Sequence, residues 1–402
     1  MFKSLSLKVI IFGFIFTFFS SFGQSFFLGL FNSSIREELS ITHGQFGSIY
    51  ASATLLSSFI LIWVGKKIDD INISRFALFV ILLLSFSSFL FSKISSVVFL
   101  FIAIFLMRFS GQGMMSHTAT TTISRYFTKS RGKALSAGWF GLSSAEFILP
   151  VLIVYLLTIY QWQSIWISIS IIVIIFLPIA SFFLVREINF ESRETKEDEN
   201  SFSIKIKDWK RTEVIKDYRF YIICANMLAM PWIATGTFVY QSFILESKNW
   251  GPFILAQSFM VYSIMTVATL FVAGFLIDKF TSRKLLIFIN IPLLFSVFVI
   301  IFFDNPISAF FFLGLIGITN GFANVLGSST WAEIYGVKYI GSIKALTTAL
   351  MVFATAFGTA LFGVLIDRGF SIEQIAVISS VYISISLISL LLIRNKLNPT
   401  KI

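Results

Sequence analysis

The sequence holds one cysteine, Cys224, and two histidines, His43 and His117, among 402 residues. A lone cysteine excludes an intrachain disulfide and any C-x-x-C site. Two histidines far apart give no paired His/carboxylate cluster, and neither H-E-x-x-H nor G-x-S-x-G occurs. No segment reads G-x-x-x-x-G-K-[ST], so ATP-driven pumping by this chain alone is not expected. The reading is therefore no metal, no cofactor and no enzyme. Charge is scarce as well: 13% of residues are Asp, Glu, Lys or Arg, against about 25% in a soluble domain.

What fills the chain instead is apolar. Hydrophobic residues make up 56%, 50 of them Phe, and the mean hydropathy is +0.87. About 20 apolar residues span a bilayer as a helix. Twelve segments meet this, at 8–31, 44–65, 75–92, 96–123, 133–157 and 163–185, then 219–245, 253–277, 285–303, 307–331, 342–366 and 373–393. The first run begins after Lys3 and Lys8, as a signal peptide would. It is too long for an h-region and lacks a cleavage site, so it reads as the first span. The expected fold is all-α: twelve transmembrane helices in two pseudo-symmetric six-helix bundles, at 1–185 and 219–402. The polar stretch 186–218, which contains Glu194 to Asn200, joins them as a solvated linker. Part of it, around Ile204 to Val214, is a candidate surface helix.

The net charge of +11 would suit nucleic acid, but the basic residues sit in short segments between apolar runs, as orientation signals do. With both termini in the cytoplasm, the outer loops hold only Arg36, Lys93, Lys248 and Arg368. The expected setting is the inner (cytoplasmic) membrane, multi-pass, with the lipid bilayer as partner and no nucleic acid.

Two ionisable residues lie in mid-span. Arg108 is about halfway along the fourth segment and Glu146 about halfway along the fifth. At that depth such groups face a partner, a water-filled cavity or a substrate path. They could form a buried ion pair that fixes packing. Alternatively, Arg108 holds a substrate anion through its guanidinium fork and Glu146 takes a proton, burial favouring its neutral form. His117 lies toward the cytoplasm from Arg108, either as a proton relay or simply hydrogen-bonded. Trp232 follows Pro231, which can break or kink the seventh span.

A weak repeat links the halves. Gly65-Lys66-Lys67-Ile68-Asp69 follows the second span and Gly274-Phe275-Leu276-Ile277-Asp278 follows the eighth, each ahead of basic residues. Gly363 to Asp367 fits the same spacing but falls on the outer side, which marks the chance rate. These loops resemble those of the major facilitator superfamily. Gly274, Asp278, Lys279, Arg283 and Lys284 match its loop pattern with one extra residue before Arg283, while Asp70 and Ile71 depart from it in the first copy. Arg108-Phe109-Ser110-Gly111-Gln112-Gly113 is similar to the family's fourth-helix motif. Arg125-Tyr126-Phe127, Arg131-Gly132-Lys133-Ala134, Gly138, Gly141 and Pro150 resemble the monocarboxylate and oxalate/formate branch. The eighth span lacks the basic residue that branch often carries.

The resemblance implies more than the residues do alone. It makes Asp69, Asp278, Lys279, Arg283 and Lys284 gating residues. Asp69 would face the start of the eleventh span near Gly341 and Ser342, and Asp278 the start of the fifth near Gly132. An anion at the positive end of a helix dipole is the physical basis. The first, fourth, seventh and tenth helices would line a central cavity. That selects Gln24, Asn32, Gln112, Trp232, Tyr240, Gln241, Asn320 and Asn324, with Arg108, as substrate contacts, packing bonds between helices being the alternative. The expected function is secondary active transport of a small organic solute by alternating access: a monocarboxylate-like anion moved with protons, by a monomeric symporter. Proton antiport exporting a neutral metabolite or drug is the alternative. A membrane acyl or glycosyl transferase lacks its motifs; a transport-incompetent sensor on the same fold is poorly separated from a transporter by sequence, though the short tails offer no signalling domain.

Overall fold

The computed structural model describes residues 4–68, 70–127, 131–186 and 207–398. Among them the regular structure is helical throughout. Twelve helices are long and apolar enough to cross a membrane: Leu5–Gly23, His43–Ile68, Ile73–Phe91, Val97–Tyr126, Gly132–Leu157, Trp162–Val185, Tyr218–Val239, Pro252–Ile277, Ser282–Phe302, Ser308–Tyr335, Ile340–Asp367 and Ile372–Lys396. They are called the first to twelfth spans. Large apolar side chains face outward along them, such as Phe275 at 77% and Leu392 at 79% exposed. In water such a girdle would drive aggregation; in a bilayer it is the solvated surface.

Helix starts follow local chemistry. Thr42 and Gln45 form a reciprocal capping box at the second span, and Ser371 and Gln374 form one at the twelfth. Asn72 caps the third span and Ser96 the fourth. The tenth ends at Gly336, whose φ of +83° suits glycine. The segment before the seventh span packs beneath the second half: the Trp209 N–H donates to Tyr335 O at 2.9 Å, and Lys207 and Arg219 flank the Trp209 ring. Its helix covers only Arg211–Val214, shorter than the candidate, whose start lies outside the described residues.

Two spans differ from the sequence expectation. The first is a helix only to Ser20, followed by a 3-10 turn at Ser21–Gly23, extended backbone at Gln24 and further short turns before Asn32–Leu39. The seventh runs unbroken through Pro231 and stops at Tyr240, with a separate helix at Gln241–Ser247. Apolar sequence continues past both interruptions, so hydropathy alone does not reveal them.

Within the first half the first span packs on the fourth and fifth and the third on the sixth; within the second half the eighth packs on the tenth, the seventh on the eleventh and the ninth on the twelfth. The halves meet along two seams, the second span against the eleventh and the fifth against the eighth. The face reached by the loops after even-numbered spans carries the 186–217 connection and is the linker face; the opposite one is the far face. The second-span residues buried in the seam run from Gly44 to Ser57, and those of the eleventh, apart from Ile343, from Ala354 to Ile366. Both stretches lie toward the far face. Toward the linker face a Cβ added at Gly132, Gly274 or Gly341 would meet nothing within 4 Å. Among the described residues the buried part of the second–eleventh seam lies toward the far face, and these three positions near the linker face are open.

Candidate functional site

The break in the first span and a loosened stretch of the fourth lie against each other. The fourth span is α-helical over Val97–Met107, π-helical over Arg108–Met115, and α-helical again over Ser116–Tyr126. Gly111 and Gly113 fall inside the wide stretch, and π segments concentrate where function distorts a helix. Gly111 meets Gly23 backbone to backbone: a Cβ on Gly111 would come within 2.7 Å of Gly23 N, and one on Gly23 within 2.5 Å of Gln112 N. Only glycine permits this approach.

Arg108 reaches into the break. It is 2% exposed. Its Nη1 donates to Gly23 O at 3.1 Å and to Ser25 Oγ at 3.3 Å. Tyr50 lies beneath, its ring centroid 5.3 Å from the guanidinium carbon and its hydroxyl donating to Ser25 Oγ at 3.0 Å. Nε has no partner among the described residues. A cation–π contact of this kind contributes about 2 kcal/mol when desolvated. Burying an ion costs several kcal/mol, which the ring contact and the two hydrogen bonds oppose.

Glu146 is not the partner of Arg108: among the described residues no ion pair joins the two. Glu146 is 7% exposed and stands one helical turn after Ser143, whose carbonyl accepts from Ser263 Oγ at 2.6 Å across the fifth–eighth seam. The neighbouring residue Tyr262 is within electrostatic reach of Glu146, and its hydroxyl accepts from Asn320 Nδ2 at 2.9 Å. Glu146 and Tyr262 thus belong to spans that face each other across the fifth–eighth seam, and Asn320 to the tenth span packed on the eighth. Tyr262, Ser25 and Tyr50 were not singled out by the sequence, since Tyr and Ser are common in spans and only tertiary contact distinguishes these.

The other expected contacts separate by position. Gln24 and Gln112 lie at the break, partly buried. Trp232 is buried among Phe357, Phe362 and Tyr382, with Nε1 unpaired among the described residues. Asn324 is exposed. Asn32, Tyr240 and Gln241 are committed to the far-face closure: Asn32 Nδ2 donates to Val239 O at 2.6 Å, Gln241 Nε2 to Phe26 O at 2.9 Å, and Tyr240 Oη to His43 O at 2.8 Å. His117 Nε2 is 3.0 Å from Gly65 O, the bland alternative for that residue.

Among the gating residues, Asp69 and the side chain of Asp278 lie outside the described residues. Lys279 and Lys284 are exposed, and the Arg283 N–H is held by Glu333, whose carboxylate also accepts from Ser282 N at 2.8 Å. At the helix starts expected to receive the two Asp residues, a Cβ added at Gly132 or Gly341 would meet nothing within 4 Å. One contact of the expected type exists elsewhere. Asp367 Oδ2 accepts from Gly44 N at 2.9 Å, at the start of the second span. The residue that ends the Gly363–Asp367 spacing makes this contact.

Twelve apolar spans in two halves, with a broken helix beside a buried charge, fit the build of a membrane transporter. The sequence profile described as Major Facilitator Superfamily matches residues 13–359, and the chain belongs to that family. Its structure is similar to that of a bacterial homolog to the human lysosomal transporter Spinster in an inward-facing, unoccupied conformation (TM-score 0.72, 12% identity, 99% of this chain and 98% of the other). It is equally similar to that of the nucleoside transporter NupG (TM-score 0.72, 14% identity, 98% of this chain and 99% of the other). At these identities the likeness concerns the fold. No curated protein matches the sequence.

Proposed function

We propose that this transporter is a secondary symporter moving a small organic anion of the monocarboxylate type together with protons. Its spans rock about a site at the first–fourth crossing. Its setting is the inner membrane with both termini in the cytoplasm, so the linker face is the cytoplasmic one, and it works as a monomer.

The observation that carries this reading is Arg108. Among the described residues its buried guanidinium meets a carbonyl, a hydroxyl and a ring, and no carboxylate pairs with it. A solute carboxylate supplies that partner through charge-assisted bonds to Nε and the adjacent nitrogen. Glu146, a buried carboxyl near the seam between the halves, would carry the proton. The two residues sit in different contacts, one within the first half and one at the seam, which lets each respond to bundle motion separately.

A ligand-stabilisation screen of the purified protein over carboxylates, sugars, amino acids and drugs, repeated with Arg108→Ala, tests the reading. A carboxylate that raises the melting temperature of the parent and not of the variant is the expected result. Stabilisation by an uncharged compound, retained in Arg108→Ala, overturns it and favours antiport of a neutral solute.

A further inference from the structure

The second half carries G-x-x-x-D twice, Gly274 to Asp278 ending the eighth span and Gly363 to Asp367 ending the eleventh. Each six-span half of this family's fold is two inverted three-span units. The eighth and eleventh spans are the middle members of the two units in the second half, so their ends emerge on opposite faces. The second and fifth spans hold the same places in the first half. Asp278 is expected at the start of the fifth span on the linker face; Asp367 is found at the start of the second span on the far face.

The contact at Asp367 is close on both sides. Its carboxylate takes Gly44 N–H, one of the donors a helix start leaves unpaired, and meets the positive end of that helix. A Cβ on Gly44 would fall 2.5 Å from Asp367 Oδ2. One turn further, Gly47 and Gly363 leave room for the Tyr240 hydroxyl, which donates to His43 O and to Thr359 O, the latter at 3.1 Å. Asp367, Gly44, Gly47, Gly363 and Tyr240 therefore join the second, seventh and eleventh spans at one point. Toward the linker face a Cβ added at Gly132 or Gly341 would meet nothing within 4 Å.

We propose that Gly363-x-x-x-Asp367 is the far-face gate, the inverted counterpart of Gly274-x-x-x-Asp278. It holds the far side shut in this conformation and must release the second span before that side opens.

Cysteine labelling tests this without any solute, so the outcome does not depend on what the protein carries. In a Cys224→Ser background, one cysteine replaces Thr359, buried in the far seam. A second variant carries its cysteine at Gly341 instead, open on the linker face. Asp367→Asn is expected to speed maleimide labelling at 359 by about threefold to thirtyfold, the range a charge at a helix end supplies, and to slow it at 341. Asp367→Glu, which keeps the charge, is expected to label more slowly at 359 than Asp367→Asn. Labelling at 359 unchanged by Asp367→Asn overturns the proposal. So does faster labelling at 359 with no slowing at 341, which would be local fraying rather than a shift between conformations. If Asp367→Asn does not fold, Tyr240→Phe is read in the same way, with the same two outcomes deciding.

Discussion

The fourth and tenth spans hold equivalent places in the two halves and are built differently. Both carry glycines that bring backbones together. In the tenth, Gly317 packs on the carbonyl of Tyr262, and a Cβ at Gly321 would fall 2.7 Å from Thr266 O, yet the helix is regular from Ser308 to Tyr335. In the fourth, Gly111 packs on Gly23 and the helix widens into π geometry at that level. Close packing does not by itself distort a helix; the distortion accompanies the buried charge of Arg108. Of these two spans the fourth holds the irregular backbone and the guanidinium, while the tenth stays regular and presents Asn320 to Tyr262.

The largest expected effect comes from removing the charge. Arg108→Ala should weaken solute binding by roughly 10- to 150-fold, the worth of a hydrogen bond to a charged group, read by uptake into proteoliposomes. Arg108→Lys should recover little, because a lysine lacks the planar fork. Uptake at the parent level in Arg108→Ala would place the site in the second half and reverse the comparison. Next in size, Glu146→Gln should abolish proton-driven accumulation while leaving solute exchange near the parent rate. Unchanged uphill uptake would leave Glu146 a packing residue.

The sequence shows the fold because a bilayer allows few solutions: each crossing needs its own apolar run, and all twelve runs become helices. It shows Arg108 and Glu146 for the same reason, since hydrocarbon makes an ionisable residue conspicuous. It does not show what they touch. The break at Gln24 is hidden inside an apolar run, so Gly23 and Ser25 look like ordinary span residues, and with them the acceptors for Arg108. Asp367 is visible as a motif but sits on the face opposite the one where the motif is usual. Only the inverted relation between the eighth and eleventh spans gives it a partner, the second-span start at Gly44. Asn32, Tyr240 and Gln241 look like ligands because amides and hydroxyls in lipid need partners. In this conformation they find them across the far-face closure.

A pair of glycine substitutions sharpens the comparison with a smaller effect. Gly23→Ala and Gly317→Ala both push a methyl against backbone of a neighbouring span. Each should lower stability by about 1–3 kcal/mol, as overpacking does, read as a fall in melting temperature. Only Gly23→Ala should also weaken solute binding, because only there does the backbone that shifts carry the acceptor of Arg108. Equal loss of binding in both variants would mean that the two spans contribute alike.

The smallest effects separate the two asparagines of the tenth span. Asn320 donates to the Tyr262 hydroxyl, so Asn320→Ala leaves that buried group without its donor and should cost about 0.5–1.5 kcal/mol, with a matching rise in half-saturating solute concentration. Asn324 is exposed, and Asn324→Ala should stay within about ±0.5 kcal/mol by thermal unfolding and by uptake. The order matters more than the size. If Asn324→Ala proves the more damaging of the two for uptake while stability is unchanged, the exposed face of the tenth span is itself a solute contact. The second half would then bind directly.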